Sequence, residues 1–387
     1  MSVKSGAEVL LTKRLDLTGG KRMGLVTNPT AVLPNLIHVL KAFVEHPDIE
    51  VRALFGPEHG LYGAAADGAT VESGLDPHTG LPAYSLYGEQ VKPTPEQLAG
   101  LDLLIFDIQD VGVRFYTYAT TMSYCLEAAA QAGLPILVLD RPNPINGVSV
   151  EGPVLEPEFA SFVGCYPLPI RHGMTMGELA RLFNETFGIG ADLTVVAMQG
   201  WRREMWFDDT GLPWIAPSPN LPTLDTATVY PGTCLVEGTN LSQGRGTTRP
   251  FEWIGAPWID GWELAYALNG LNLAGVRFRP VSFTPTASKY AGQFCNGAQL
   301  HVLDRERFCP VATGLHLLKA VRDLYPQHFA WMPPGSPGGI WPFDRLVGTD
   351  RVRQQMEAGW PVEEMVAHWR PKLLEFDELA QAYFLYG

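Results

Sequence analysis

No two cysteines stand close enough in the sequence to form a metal-binding pair. The five present (Cys125, Cys165, Cys234, Cys295 and Cys309) are scattered and odd in number. That spacing excludes a zinc knuckle and argues against a disulfide framework, so reduced, space-filling thiols are expected. Nowhere do 18 apolar residues run together, and the first twenty residues hold no apolar stretch of signal-peptide length. The expectation is a cytoplasmic protein with no membrane partner. Charge is sparse: charged residues make up 18% of the 387, and 28 Lys+Arg against 41 Asp+Glu leave a net charge of −13. With no basic run to offset that balance, nucleic acid is not an expected partner. Motifs of the GxxxxGK[ST], GxGxxG, HExxH, GxSxG and SxxK types are all absent. Nucleotide cofactors, zinc proteolysis and serine-hydrolase chemistry therefore have no signature here, and no cofactor or metal is expected.

What the sequence does contain is enough apolar material for large cores: 46% hydrophobic residues, with 10 Trp, 13 Tyr and 18 Phe. At ~100 to 200 residues per domain the length favours two or three domains. The first 200 residues alternate strand-like runs (23–27, 51–55, 101–107, 135–140, 193–198) with helix-like stretches (36–45, 117–132, 175–187). Near-continuous apolar strands such as LDLLIFDI and LPILVLD suit a parallel sheet buried on both faces. The fold class read from this rhythm is α/β, Rossmann-like, with a mostly parallel doubly wound sheet. From about residue 217 the texture turns Pro-rich, then Gly/Ser/Thr-rich, then to mixed strands (VRFRPVSFTPT, AQLHVLD) and two late helices. The expected division is a catalytic domain over 1–215 and a smaller α+β auxiliary domain over 216–387.

Open parallel sheets bind ligands beyond the carboxyl ends of their strands. The residues that follow the predicted strands are polar: TNPT at 27–30, GPEHG at 56–60, DIQD at 107–110 and DRPN at 140–143. One crevice is thus expected to gather Asn28, Glu58, His59, Asp107, Asp110, Asp140, Arg141 and Asn143, against the plain alternative that such loops are polar only for solvation. Glu58 is the sharpest candidate, because a carboxyl held between Gly56-Pro57 and Gly60 and near Tyr62 is open to partial desolvation, as a general acid requires. The segment VGVRFYTY adds Arg114, Tyr116 and Tyr118, aromatics of the kind that grip sugar rings and an arginine of the kind that clamps a substrate carboxylate, against the alternative of a helix start with core-packing aromatics. A second polar segment, residues 237–253, offers Asn240, Ser242, Arg245 and Thr247 to close over a substrate from the second domain.

Six strings occur in order along the chain: TNPT (27–30), LFGPEHGLYG (54–63), FDIQDVGVRFYTY (106–118), LDRPNPINGVSVEGP (139–153), PSPNLP (217–222) and EGTNLSQGRGTTRPFEWIGAPW (237–258). Together they resemble the exo-β-N-acetylmuramidase family, NamZ-like proteins formerly grouped as a domain of unknown function. The resemblance implies a Rossmann-like catalytic domain, an auxiliary domain and an active site in the cleft between them. It also implies hydrolysis of the β-1,4 bond after a non-reducing terminal N-acetylmuramic acid, with the glutamate of GPEHG, here Glu58, as catalytic residue. Glycoside hydrolysis ordinarily needs a second group, and Asp107, Asp110, Glu237 and Glu252 are open to that role. Asp110 ranks first for its place after a strand, and participation of the substrate's own acetamido group is the alternative. Arg114, Arg141, Arg171 and Arg245 are the cations available to the lactyl carboxylate. The competing readings are a non-catalytic muropeptide-binding protein and a different α/β hydrolase acting on cell-wall sugars.

Overall fold

The structure, a computed structural model, describes residues 2–65, 68–69 and 72–387. Strands β1 (Arg22–Thr27), β2 (Glu50–Gly56), β3 (Gly74–Leu75), β4 (Pro82–Ser85), β5 (Leu103–Asp107), β6 (Ile136–Leu139) and β7 (Leu193–Val196) form one sheet in the order β3-β4-β2-β1-β5-β6-β7. Only the short edge hairpin β3–β4 is antiparallel; every other pairing is parallel. The order reverses at β1, which pairs with both β2 and β5. In a doubly wound sheet that reversal opens a crevice at the carboxyl edge, where ligands sit. All residues of β5 and β6 are buried, as strands covered on both faces must be.

Helices α1 (Gly6–Lys13), α2 (Val39–Val44), α3 (Pro95–Leu98), α4 (Tyr118–Ala132) and α5 (Met176–Thr186) accompany this sheet. The sequence reading of its strands and main helices holds, with ends displaced for local reasons. The helix expected from residue 36 starts at Val39, because Leu36 is left-handed (φ 65) and the His38 ring accepts the Leu40 N–H at 3.1 Å as N-cap. The strand expected from residue 101 starts at Leu103, since Asp102 turns aside to a bidentate pair with Arg22. Helix α4 ends at Gly133 (φ 61), the left-handed stop read from the sequence, and α5 starts on a capping box between Thr175 and Glu178.

The second part is built on the antiparallel sheet β8-β10-β9, with β8 (Trp253–Ala256), β9 (Val276–Phe283) and β10 (Cys295–Val302). Burial alternates along β9, which covers the core on one face only. Around it lie α6 (Leu224–Thr233), α7 (Gly261–Gly270), α8 (Pro310–Leu324), α9 (Pro342–Val347), α10 (Arg351–Glu357) and α11 (Val362–Gln381). The fold is therefore α/β with a separate small antiparallel-sheet domain. The sequence reading missed α6 because its Pro231-Gly232 pair and the Pro-rich stretch before it look like a loop. Tertiary contact overrides that signal: α6 crosses α8 so closely that a Cβ on Gly232 would stand 1.8 Å from the Pro310 carbonyl oxygen.

After α11 the chain returns to the first sheet. The Leu385 N–H donates to Glu178 at 3.0 Å, and the Tyr386 hydroxyl donates to Asp140 at 2.5 Å. Among the described residues no helix is long and apolar enough to cross a membrane.

Overpacking at the α6–α8 crossing gives a direct test. Gly232→Ala is expected to destabilise the protein by at least about 3 kcal/mol in denaturant melts. Gly270→Ala, at a helix end where nothing lies within 4 Å of the added methyl, is expected to be neutral or slightly stabilising.

Candidate functional site

At the carboxyl edge of the large sheet, between the loops that follow β2 and β4 on one side of the reversal and β5 on the other, a cavity of ≈ 320 Å³ is shared by both parts of the chain. From the first part come Glu58 and His59 after β2, Tyr87 after β4, and Phe115, Tyr116, Thr117 and Tyr118 between β5 and α4. From the second come Tyr230 and Cys234 at the end of α6, Glu237 in the 3₁₀ turn that continues it, Arg245 and Phe251 in the following loop, and Leu346 on α9. A larger groove of ≈ 550 Å³ lies between α2 and Leu61, Tyr62, His78 and Thr79, and among the described residues its lining holds a single carboxylate, Glu45. The smaller cavity is the candidate for chemistry because two carboxylates meet in it.

Glu58 sits in a tight turn whose next two residues are both left-handed, His59 (φ 70) and Gly60 (φ 74). His59 is buried, its Nδ1 lying 2.8 Å from the Ala65 carbonyl oxygen, which fixes the ring and with it the loop. The Thr117 hydroxyl donates to Glu58 Oε2 at 2.9 Å, and the Tyr87 hydroxyl bonds the same carboxyl. Burial, with the Glu58 charge beside it, pushes the Tyr87 hydroxyl up to about 12. The phenol thus remains a donor at any physiological pH.

Glu237 faces this group from the second domain. Burial raises its carboxyl to about 7; the Lys289 ammonium opposes that rise, and the Glu58 charge adds to it. Arg245 donates to Glu237 from Nη2 and stacks its guanidinium over Phe251, 5.1 Å from the ring centre. Burial brings the Arg245 guanidinium down to about 10, against the pull of Glu58. It stays cationic at neutral pH.

Of the residues expected in the crevice, Glu58, His59, Tyr116, Tyr118 and Arg245 line the cavity; the others are turned elsewhere. Asn28 is buried and closes its own turn, its Oδ1 accepting from the Thr30 N–H (3.0 Å) and hydroxyl (2.5 Å). Asp110 accepts the Gly112 N–H at 2.7 Å and lies 3.6 Å from His172, outside the lining. Asp107 and Arg141 form a buried bidentate pair with contacts of 2.5 and 2.9 Å. Asp140 caps the start of α5 through Thr175 and Gly177, both at 2.8 Å, and holds Tyr386. Asn143 donates to the Met174 carbonyl at 3.0 Å, and Asn240 to that of His328 at 2.7 Å. Arg114 is wholly buried and donates to the carbonyls of Pro153, Leu168 and Leu346. Arg171 is likewise buried on the Ile145 carbonyl and beside Glu151.

The correction has one physical cause. Polar groups at the carboxyl ends of buried strands must be satisfied where water is excluded, and here they satisfy each other. What the sequence reading underweighted is Glu237, placed behind Asp110 for want of a strand before it. It left out Tyr87, Ser218, Asn220, Tyr230, Phe251 and Leu346 altogether. The PSPN and EGTN strings were the available signals. The thiols are all free, with Cys234 at the cavity wall.

The family follows from comparison with known proteins. The models of the N-terminal and C-terminal parts of exo-β-N-acetylmuramidase NamZ match residues 23–225 and 228–386. The chain belongs to the NamZ family of exo-β-N-acetylmuramidases. A relative from Bacillus subtilis, peptidoglycan β-N-acetylmuramidase NamZ, is 52% identical over 384 residues, covering 99% of this chain and 91% of its own. Two crystal structures of DUF1343 family proteins from Bacteroides fragilis share the fold. One has a TM-score of 0.92 at 36% identity and the other 0.76 at 32%, each covering 100% of this chain and 99% of its own. Within this NamZ-family chain, the strings that carry the likeness divide between the cavity wall and the buried struts behind it.

That division is testable by stability. Arg141→Met leaves the Asp107 carboxylate buried and unpaired and is expected to cost ~3 to 5 kcal/mol in denaturant melts. Arg245→Met removes one of the two cations beside Glu237 and, with Lys289 still in place, is expected to cost less, about 1 to 3 kcal/mol in the same melts.

Proposed function

We propose that this protein is an exo-acting glycoside hydrolase that releases non-reducing terminal N-acetylmuramic acid from β-1,4-linked peptidoglycan fragments. The observation that carries the reading is the meeting of Glu58 and Glu237 with the Arg245 guanidinium in one cavity, made of residues from both domains. Family membership and the name of the Bacillus subtilis relative support it. A cavity of ≈ 320 Å³, at the small end of ligand sites, suits one terminal sugar better than a threaded strand.

Hydrolysis of a glycosidic bond needs a proton for the leaving oxygen and a group to assist attack on the anomeric carbon. Burial, with the Glu58 charge adding to it, raises the Glu237 carboxyl to about 7, so Glu237 exchanges its proton near neutral pH. In our assignment Glu58 works on the glycosidic oxygen as general acid, held by Thr117 and Tyr87. Glu237 is the partner carboxylate, a role the sequence reading gave first to Asp110. Tyr116 and Tyr118 form a wall for the sugar ring; burial, and after it neighbours that include Asp110, hold both hydroxyls protonated. Among the four arginines weighed for the lactyl carboxylate, Arg245 is the one in the lining. It gives local attraction for an anionic sugar in a chain of net charge −13.

The test is release of chromophore from para-nitrophenyl β-N-acetylmuramide, with the β-N-acetylglucosaminide as control. Turnover confined to the muramide, and lowered ~10²-fold or more in Glu58→Gln, is expected of a general acid. Activity that persists in that variant refutes the assignment. The kcat/KM profile is expected to rise through a limb near pH 7, as Glu237 ionises to the carboxylate that assists attack, and that limb is absent in Glu237→Gln. Arg245→Met is expected to lower kcat/KM for the muramide by roughly 10- to 100-fold, the worth of a charged hydrogen bond. The glucosaminide should change far less, so the preference narrows; an unchanged ratio removes Arg245 from lactyl recognition.

A further inference from the structure

Between β9 and β10, residues 284–294 leave the small sheet and run to the back of the cavity. Thr286 grips the carbonyl of Gly246 with its N–H (3.0 Å) and hydroxyl (2.9 Å), next to Arg245. The approach is close: a Cβ on Gly246 would stand 2.3 Å from the Ala287 nitrogen. Beyond it, Ser288 (φ 63) and Tyr290 (φ 60) are both left-handed, and Lys289 lies between them. Two side-chain-bearing residues rarely share this conformation so near each other unless the structure imposes it for a reason.

The reason lies at the end of the lysine. Its Nζ donates to the carbonyls of Val236 (3.4 Å) and Glu237 (2.9 Å) near the end of the 3₁₀ turn Cys234–Gly238 and of Thr239 just past it. All three N–H bonds of the ammonium are thus spent on the C-terminal end of the segment that carries Glu237, where a cation is favoured. Lys289 does not line the cavity. It acts behind the wall.

We propose that Lys289 is a positioning residue of the hydrolase, fixing both the place and the charge of Glu237 through the strap 284–294. This rests on the reading of Glu237 as a catalytic carboxylate. The strap thereby ties together the two groups that the second domain sends into the cavity, Glu237 through the ammonium and Arg245 through Gly246. The charged and titratable groups facing the ammonium are Glu237, Arg245 and Cys234, with Glu58 acting on Glu237 and Arg245 from the other domain. Since the ammonium favours the ionised form of Glu237, its removal must raise the pH at which Glu237 titrates.

Lys289→Met, Lys289→Gln and Lys289→Arg in the full chain test this. On para-nitrophenyl β-N-acetylmuramide, the Met variant is expected to lose kcat by about tenfold or more with KM within about threefold. Its limb near pH 7 is expected to move to higher pH by half a unit or more. Arg, which keeps the charge, is expected to restore most of kcat and return the limb. In parallel, carbon-13 titration of glutamate side chains, with the Glu237 signal identified by its absence in Glu237→Gln, follows Glu237 without any need for turnover. An upward shift in the Met variant supports the proposal, and an unshifted titration overturns it. An unchanged kcat with the parent active also overturns it. If the parent gives no turnover, the hydrolase reading fails, and the carbon-13 titration alone decides whether Lys289 controls Glu237. Should the Met variant not fold, the Gln variant, neutral but still a donor, carries the same two comparisons.

Discussion

The cavity exists only while two separately built halves of the chain are held in one register, and buried hydrogen bonds between them set that register. Arg114 shows the principle in its plainest form. Its guanidinium, just after β5, is enclosed and reaches the carbonyls of Pro153, Leu168 and, on α9 of the second domain, Leu346. Burial without a carboxylate partner brings it down to about 9, yet it remains a cation, and carbonyl oxygens are all that compensate it. Any slip of α9 against the sheet strands that charge. Tyr118 repeats the device by donating to the Pro217 carbonyl at 2.6 Å, and Tyr386 does so from the end of the chain onto Asp140. Burial raises the Asp140 carboxyl to about 7, with Tyr386 among the bonds that pull the other way.

This register explains why so many polar side chains of the recurring strings face away from the substrate cavity. A site assembled from two domains needs its wall residues placed to a fraction of an ångström, and that placement comes from the side chains behind the wall. Asp107 with Arg141, Asn28 with Thr30, and Asn143 with the Met174 carbonyl lock the loops at the carboxyl edge to one another. Glu58, His59, Tyr116 and Tyr118 are then presented by a frame with little freedom. On the opposite wall, α6 runs into the 3₁₀ turn that bears Glu237, and the Gly232–Gly314 crossing presses α6 onto α8. A pair of carboxylates in a desolvated place repels itself, and Arg245 and Lys289 are the cations that make the arrangement tolerable.

Much of this was legible in the amino-acid order. The parallel sheet showed itself in uninterrupted apolar strands, the end of α4 in Gly133, and Glu58 in a glycine- and proline-bounded turn after a strand. These are local signals, and local stereochemistry or burial on both faces produces them. Helix α6 was hidden because Pro231 and Gly232 are poor helix formers, and only contact with α8 makes them acceptable. Arg114, Arg141, Asp110 and Asp140 were read as cavity groups because sequence states that a polar residue follows a strand without stating which way it turns.

The sequence by itself determined the α/β class, the family, and Glu58 as a chemical group in a constrained turn, because each depends on residues near one another in the chain. The tertiary structure alone decided that Glu237, 179 positions after Glu58 in the sequence, stands opposite it rather than Asp110. It alone decided that Arg245 is the cation in the cavity and that Lys289 braces the turn behind. Pairing across domains depends on how two cores pack against each other, and no local pattern encodes the distance between groups that the chain brings together only when both cores are complete.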